Sequence, residues 1–406
     1  MRTIVKCRVC DSAKLKEILD LGEQYTSDFR DDNSKPPKYP IVALICEGCM
    51  LVQLEHTTPS DVMYHDNYGF KSGVSDSIKA DLKDIVENAI VFNDNPTSWL
   101  DIASNDGTLL SYVPKELRRV GVDPIAKYCE MATAHADKIV NSFFVDGTLG
   151  GETFDIITSI SCFYDMDDPN DFVRGVKRLM TDKTVWVIQQ NYLLPTMELN
   201  AIDNFCHEHI EYYTLLSLEN LLDRHDLEVI DVTTSMVNGG SLRTVVAKKG
   251  THYVKKSVVA QREIEAKAGL YSVDTYLKFG KRALKNVRQL KTMVDNMVKA
   301  GKVIYILAAS TRGSTIWQAA GITEKEVPFA VERNPEKVGK YFSAVGMPII
   351  SEEQARLDKP DFMIIGPWFF ADEIVDREID YLKAGGELIQ PLPKLVLIKE
   401  GKVDGV

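Results

Sequence analysis

Several things are scarce in this sequence, and each scarcity excludes something. No apolar run approaches the roughly 20 residues a membrane-spanning helix needs, so a membrane protein of that kind is not expected. Lysine and arginine number 48 against 59 aspartate and glutamate, a formal charge of −11. That balance argues against nucleic-acid binding through bulk electrostatics, because neutralising phosphates takes clustered cations. The opening residues, MRTIVKCRVCDS, hold no apolar stretch of signal-peptide length, and cytoplasmic residence is the expectation. There is no GxGxxG to line a pyrophosphate and no HExxH to hold a catalytic metal. What remains, with 45% hydrophobic and 26% charged residues over 406 positions, is a globular protein of two or three domains.

Cysteines are few, seven in all, yet four of them form two CxxC pairs, Cys7/Cys10 and Cys46/Cys49. In a reducing compartment this spacing reads as four thiolates around one zinc ion rather than as disulfides. With sulfur at every ligand position no coordination site is open for chemistry, so the metal is expected to be structural. Redox-active CxxC motifs are the alternative. It is disfavoured because the short segment around both pairs has too little apolar sequence to fold without a staple.

Beyond a bridging segment, in which Ser75 or Asp76 caps a helix, strands and helices alternate. SWLDIASNDGTLL, GVDP, FDIITSIS, TVWVIQQ, LEVIDVTT and LRTVVAKK supply the strands, with NDFVRGVKRLM and SLENLLDRH helical between them. Alternation of this kind implies a doubly wound, mostly parallel sheet. Residues 251–300 read as a lysine-rich helical connector. KVIYILAASTRGSTIWQAAGI followed by VPFAVERNP then repeats the pattern of strand, loop, helix and strand. The expected fold is α/β, with residues 1–75 a small zinc-binding domain and bridge, 76–250 a Rossmann-like domain, and 251–406 the connector and a second Rossmann-like domain.

In such sheets ligands sit beyond the carboxyl ends of the strands. Asp101 ends the first strand, Asn105, Asp106 and Gly107 form its turn, and Asp123 closes the next strand 22 residues after Asp101. An acid there suits ribose hydroxyls, and the lone glycine disfavours a dinucleotide. A nucleoside without phosphates, such as S-adenosylmethionine, fits better, although a plain α/β turn would read the same. In the second unit Ser310, Thr311, Arg312 and Gly313 stand where a helix begins, a pattern suited to an anion.

The stretch NFCHEHIEYY, residues 204–213, concentrates two histidines, a glutamate and a thiol. By composition alone it is an ordinary strand with hydrogen-bonded histidines. A metal site would need further ligands that the sequence does not identify. If extended, Cys206 and Glu208 point one way and His207 and His209 the other.

Taken in order, the two CxxC pairs, YHDNYGFKSG, LDIASNDGTLL, GVDP, CFYDMDDPNDF, CHEHIEYYTL, NGGSLR, ERNPEKVGKYF and PWFFADEI resemble the sugar C-methyltransferases. That family acts on 4-keto-deoxyhexoses carried on nucleoside diphosphates. The resemblance runs along essentially the whole chain. It implies a zinc domain, an S-adenosylmethionine-binding Rossmann-like domain and a C-terminal Rossmann-like domain, with the active site between the last two. It also implies that Glu208 and His209 form the acid–base pair. Some members carry tyrosine where this chain has Cys206, so His209, Tyr164 or Tyr213 takes over as the enolate donor. Asp101, Asn105, Asp106, Gly107 and Asp123 match the nucleoside-binding turn, with Tyr68 and Ser72 closing over the cofactor. Asn238, Gly239 and Arg243 fall on the sugar-nucleotide side. The expected partner is a small molecule, a dTDP- or GDP-linked 4-keto-6-deoxyhexose methylated at C-3. Methyl transfer to oxygen or nitrogen, and a non-catalytic nucleotide-sugar binder, are the rival readings.

Overall fold

The computed structural model describes residues 1–63, 71–400 and 402–405. The central sheet has seven strands in the spatial order Leu227–Ser235, Ser241–Lys248, Met180–Asn191, Phe154–Ile160, Ser98–Ile102, Arg118–Asp123 and Lys138–Asn141. From Met180–Asn191 to Lys138–Asn141 all neighbours are parallel, while Ser241–Lys248 runs antiparallel to both of its neighbours. Ser98–Ile102 is buried at every position, as a strand covered on both faces must be. Two tryptophans fill the sheet without an orphaned indole: Trp99 donates to Thr158 Oγ1 and Trp186 to Ser159 Oγ, each at 3.1 Å.

The N-terminal sheet is antiparallel, in the order Glu211–Tyr212, Val52–Leu54, Lys38–Cys46 and Leu15–Tyr25. Its first strand belongs to the NFCHEHIEYY stretch, which is thereby bonded to the cysteine-bearing module. The C-terminal sheet has a parallel core formed by Glu387–Gln390, Phe362–Ile365, Ile304–Leu307, Ala330–Glu332 and Met347–Ser351. Its far edge is completed by Phe29–Arg30, again from the N-terminal module.

The connector forms two helices, Lys256–Lys267 and Val273–Lys299. In the longer one Tyr276, Phe279, Ala283, Val287, Leu290 and Val294 recur every three or four residues on the buried face. Glycine at mid-helix costs about 1 kcal/mol against alanine. Gly280 has a steric reason: a Cβ there would overlap the carbonyl oxygen of Ile18 at 1.6 Å, where the helix crosses strand Leu15–Tyr25. No helix among the described residues is long and apolar enough to cross a membrane.

The alternation expected for residues 206–209 is not observed. His209 N–H donates to the carbonyl of Cys206 at 3.2 Å, so the chain turns there, and strand structure begins only at Glu211. Pairing with Val52 and Gln53 starts at that point, and a strand exists only where it has a partner.

Candidate active site

After Ile102 the chain leaves its strand through a turn with Ala103, Asn105 and Gly107 all at positive φ (61°, 48° and 79°). Asn105 tolerates this conformation better than most residues. Gly107 has no substitute, since a Cβ would also come within 2.8 Å of Ala132 Cα. The turn is anchored from two sides. Asn105 N–H donates to Asp123 Oδ2 at 2.9 Å, and the N–H of Ser72 donates to Asn105 Oδ1 at 3.0 Å. Asp123 Oδ1 accepts the N–H of Ile125 at 2.9 Å.

These residues open onto a cleft of about 800 Å³ between the central sheet and the zinc module. Its lining includes Asn105, Asp123 and Ser72, the apolar Ile125, Phe143 and Phe144, and Thr57 to Ser60 of the N-terminal module. Asp165 to Asp168, His207, Glu208 and Ile210 line it as well. Burial pushes the Asp123 carboxyl upward, against the pull of its two backbone N–H donors. The Asp101 carboxyl lies beneath the turn, beside a smaller pocket that also touches Ser72, Gln189 and Asn238. Burial raises it to about 7, although the Thr158 hydroxyl donates to it at 2.7 Å.

Glu208 is partly exposed and, among the described residues, its carboxylate has no hydrogen-bond or ion-pair partner. His209 lies beside it with Nδ1 3.2 Å from the carbonyl of Asn204 and its ring centroid 4.4 Å from that of Tyr164. A carbonyl only accepts, so this contact favours the proton on Nδ1, with the Asn191 side-chain amide also 3.5 Å from that nitrogen. Burial, and then the Arg312 charge, push His209 down to about 3, so the ring is neutral at pH 7. His207 also lines the cleft, while its Nε2 donates to the carbonyl of Tyr39 at 3.1 Å. Cys206 is a buried, neutral thiol whose pKa burial pushes well above its ordinary value, and it is not on the cleft.

Several expected ligand contacts are replaced by internal ones. Asp106 takes the N–H of Gly73 at 3.0 Å and the hydroxyl of Thr108 at 2.6 Å, so it holds the turn instead of facing a ligand. Arg243 is a clamp. It reaches Gln189 at 2.7 Å, Asp84 at 2.6 Å and Asp81 at 3.1 Å, which fixes helix Asp76–Ile90 to the sheet and leaves no fork for a sugar nucleotide. Asn238 and Gly239, at φ 56° and 86°, form a turn whose Asn238 carbonyl accepts from Arg312 at 2.8 Å. Arg312 also lies 2.9 Å from the buried Asp203 and over the ring of Phe369, so its charge is already matched. Ser310 caps its own helix through Gly313 N–H at 3.0 Å, and Thr311 is exposed. The anion cradle expected at residues 310–313 is therefore a helix cap plus an interdomain ion pair. Tyr68 lies outside the described residues. The acidic run Asp165 to Asp168 was not singled out from sequence, although its place after the strand Phe154–Ile160 was the available signal.

The four paired cysteines fit a metal ion. Their sulfurs all lie within 4.8 Å of one another, with Cys7–Cys49 and Cys10–Cys46 at 3.5 Å. Tetrahedral zinc with Zn–S near 2.3 Å sets sulfurs about 3.8 Å apart. N–H donors support the thiolates: Gly48 N–H to Cys46 and Gln53 Nε2 to Cys7, both at 3.3 Å.

Family models match the chain in three consecutive pieces. They are a "Putative zinc binding domain" over residues 7–64, a "Methyltransferase domain" over 76–232 and a "C-methyltransferase C-terminal domain" over 236–393. The C-methyltransferase NovU of Streptomyces niveus is 27% identical over 408 aligned residues, covering 97% of each protein. The chain belongs to the C-methyltransferases. As a member of that family it is an S-adenosylmethionine-dependent enzyme that transfers methyl to carbon, with a zinc-binding module at its N-terminal side. Solved structures similar to part of this C-methyltransferase include the plantazolicin methyltransferase BpumL in complex with SAH, 14% identical over 41% of this chain and 82% of that one, with a TM-score of 0.34. Another is an S-adenosylmethionine-dependent methyltransferase from Clostridium acetobutylicum, 13% identical over 44% and 94%, with a TM-score of 0.35.

Proposed function

We propose that this C-methyltransferase acts on a 4-keto-6-deoxy sugar carried on a nucleotide, dTDP or GDP, and methylates the carbon beside the ketone, at C-3. The observation that supports this reading is the Glu208 carboxylate, without a partner among the described residues, lining the same cleft as Asn105 and Asp123. A hydrogen on carbon next to a carbonyl is acidic enough for a carboxylate to remove only when the two are held in contact. Glu208 takes that proton. The electron pair moves onto the ketone oxygen as an enolate and then forms the new carbon–carbon bond as the methyl's bond to the sulfonium sulfur breaks, leaving S-adenosylhomocysteine.

S-adenosylmethionine, when bound, supplies an electrophilic methyl group. Asp123 would accept from its ribose hydroxyls and the apolar Ile125 and Phe143 would hold its base, while Ser72 N–H to Asn105 Oδ1 and Asn105 N–H to Asp123 fix the turn. Burial holds the His209 ring neutral, at about 3, and it packs edge-on against Tyr164. Tyr164, edge-on to His209 and like it not among the residues that line the cleft, would have to turn toward the substrate to serve as the phenol that stabilises the enolate. Cytoplasmic residence accords with seven free cysteines.

The test is mass spectrometry of a panel of 4-keto-6-deoxy nucleotide sugars incubated in D₂O with and without S-adenosylmethionine. Enzyme-dependent deuterium uptake beside the ketone is expected, with methyl gain at the same carbon only when the cofactor is present. Glu208→Gln should lose both by 10²-fold or more, the range of a positioned general base, while cofactor affinity measured by calorimetry holds. A Glu208→Gln enzyme that exchanges at the parent rate refutes the assignment of the base.

A further inference from the structure

The four-cysteine centre is tied to the turn that carries Glu208 by a short chain of contacts. Gln53 is fully buried at the middle of strand Val52–Leu54. Its Nε2 donates to Cys7 Sγ at 3.3 Å, and its Oε1 accepts the backbone N–H of Arg8 at 3.1 Å, inside the CxxC turn. The backbone of the same strand pairs with the other side: Gln53 stands opposite Glu211 and Val52 opposite Tyr212. Leu54 N–H donates to the carbonyl of Ile210 at 2.8 Å, two residues past Glu208. His207 adds a second tie, to Tyr39 on the strand that ends in Cys46.

The turn has little of its own to define it. Residues 206–209 are closed by a single i to i+3 bond, and the strand that follows has two residues. So short a strand does not hold a register by itself; Ile210 N–H also donates to the Tyr164 carbonyl at 3.1 Å and the Tyr212 hydroxyl to the His209 carbonyl at 2.6 Å, and the pairing with Val52–Leu54 is the tie that reaches the metal-binding turn. That partner strand is fixed at its centre by a side-chain amide whose two ends are both committed to the metal-binding turn. A zinc-bound thiolate is a rigid acceptor for such an amide.

We propose that the zinc centre sets the position of the Glu208–His209 turn through Gln53, which makes Gln53 a positioning residue for methyl transfer as well as part of the fold. The inference rests on the reading of Glu208 as the base. Gln53→Met keeps the volume and removes the side chain's three polar contacts, to Cys7 Sγ, to the Arg8 N–H and to Arg8 Nη1.

The experiment is hydrogen–deuterium exchange on the full chain, read by mass spectrometry on peptides covering 204–213 and 98–123. Three samples are compared: zinc-loaded parent, zinc-loaded Gln53→Met, and parent after chelation. Gln53→Met is expected to keep its zinc, to exchange faster at 204–213 and to be unchanged at 98–123. Its kcat should fall on the order of 10- to 100-fold, as for outer-shell partners of metal ligands, with KM for S-adenosylmethionine unchanged. The chelated parent should show the same local exchange pattern. Parent-like exchange at 204–213 in both samples overturns the proposal, and so does an equal rise at 98–123, which would make the metal a staple for the whole fold. If Gln53→Met does not fold, the chelated parent decides alone. Retained turnover in Glu208→Gln would sink the base while leaving the exchange readout intact, so the two failures are distinguishable.

Discussion

Asp101→Asn is the substitution whose outcome follows most directly from the structure. The Asp101 carboxyl is buried under the cofactor turn and stands at about 7, against an ordinary 3.8, with burial as the main cause and the Asp123 charge adding to it. At 1.36 kcal/mol per pH unit, ionising it inside the fold costs about 4 kcal/mol more than in the unfolded chain. The folded protein therefore holds this proton between pH 3.8 and about 7 while the unfolded chain has released it, and stability falls as pH rises through that window. By the same arithmetic about 3 kcal/mol of that loss falls between pH 5 and pH 8. Asparagine cannot ionise, yet it still offers an oxygen to the Thr158 hydroxyl, which donates at 2.7 Å. Urea unfolding of parent and variant across pH 5 to 8 isolates the effect, because every other titrating group is common to both. The variant should gain on the parent progressively as pH rises. A difference between the two that does not change with pH would refute the argument that this carboxyl is held protonated by burial.

Three further outcomes are expected. Arg243→Ala removes a clamp on helix Asp76–Ile90, so it should cost about 3 kcal/mol of stability, as breaking a buried ion pair does, with the KM of the proposed nucleotide-sugar substrate unchanged; a raised KM at unchanged stability would restore Arg243 to the substrate. Gly107→Ala forces a left-handed residue and a Cβ within 2.8 Å of Ala132 Cα, so thermal unfolding should report a loss of about 2 kcal/mol and calorimetry weaker cofactor binding. His209, at about 3, should stay neutral in an NMR titration down to pH 4. The unfolded chain takes up that proton below about 6.5, so this residue makes the fold less stable as pH falls; a midpoint near 6.5 in the folded protein would contradict the burial argument.

How much was legible in the sequence depended on whether local spacing carried the signal. The CxxC pairs are local, and the model brings Cys7, Cys10, Cys46 and Cys49 to one point. Alternating strands and helices are local too, and they give the doubly wound sheet with Asn105 and Asp123 facing each other across neighbouring strand ends. Polar residues were read less well. Arg243, Arg312 and Asp106 carry the right chemistry for a ligand, but charge alone does not tell whether a partner is a substrate or another part of the chain. Here Asp81, Asp84, Asp203 and the Gly73 amide, most of them far away in sequence, take those roles.

The same limit applies to NFCHEHIEYY. By itself the sequence determined that two carboxylate-bearing regions, a four-thiolate centre and two Rossmann-like units share one chain. It did so because metal-ligand spacing and hydrophobic periodicity act over a few residues. Only the tertiary structure decided that residues 206–209 form a turn, that Glu208 has no partner among the described residues, and that strand Glu211–Tyr212 belongs to the zinc module's sheet. Those outcomes depend on which distant backbone groups meet, and a two-residue strand has no pattern of its own from which its partner can be read.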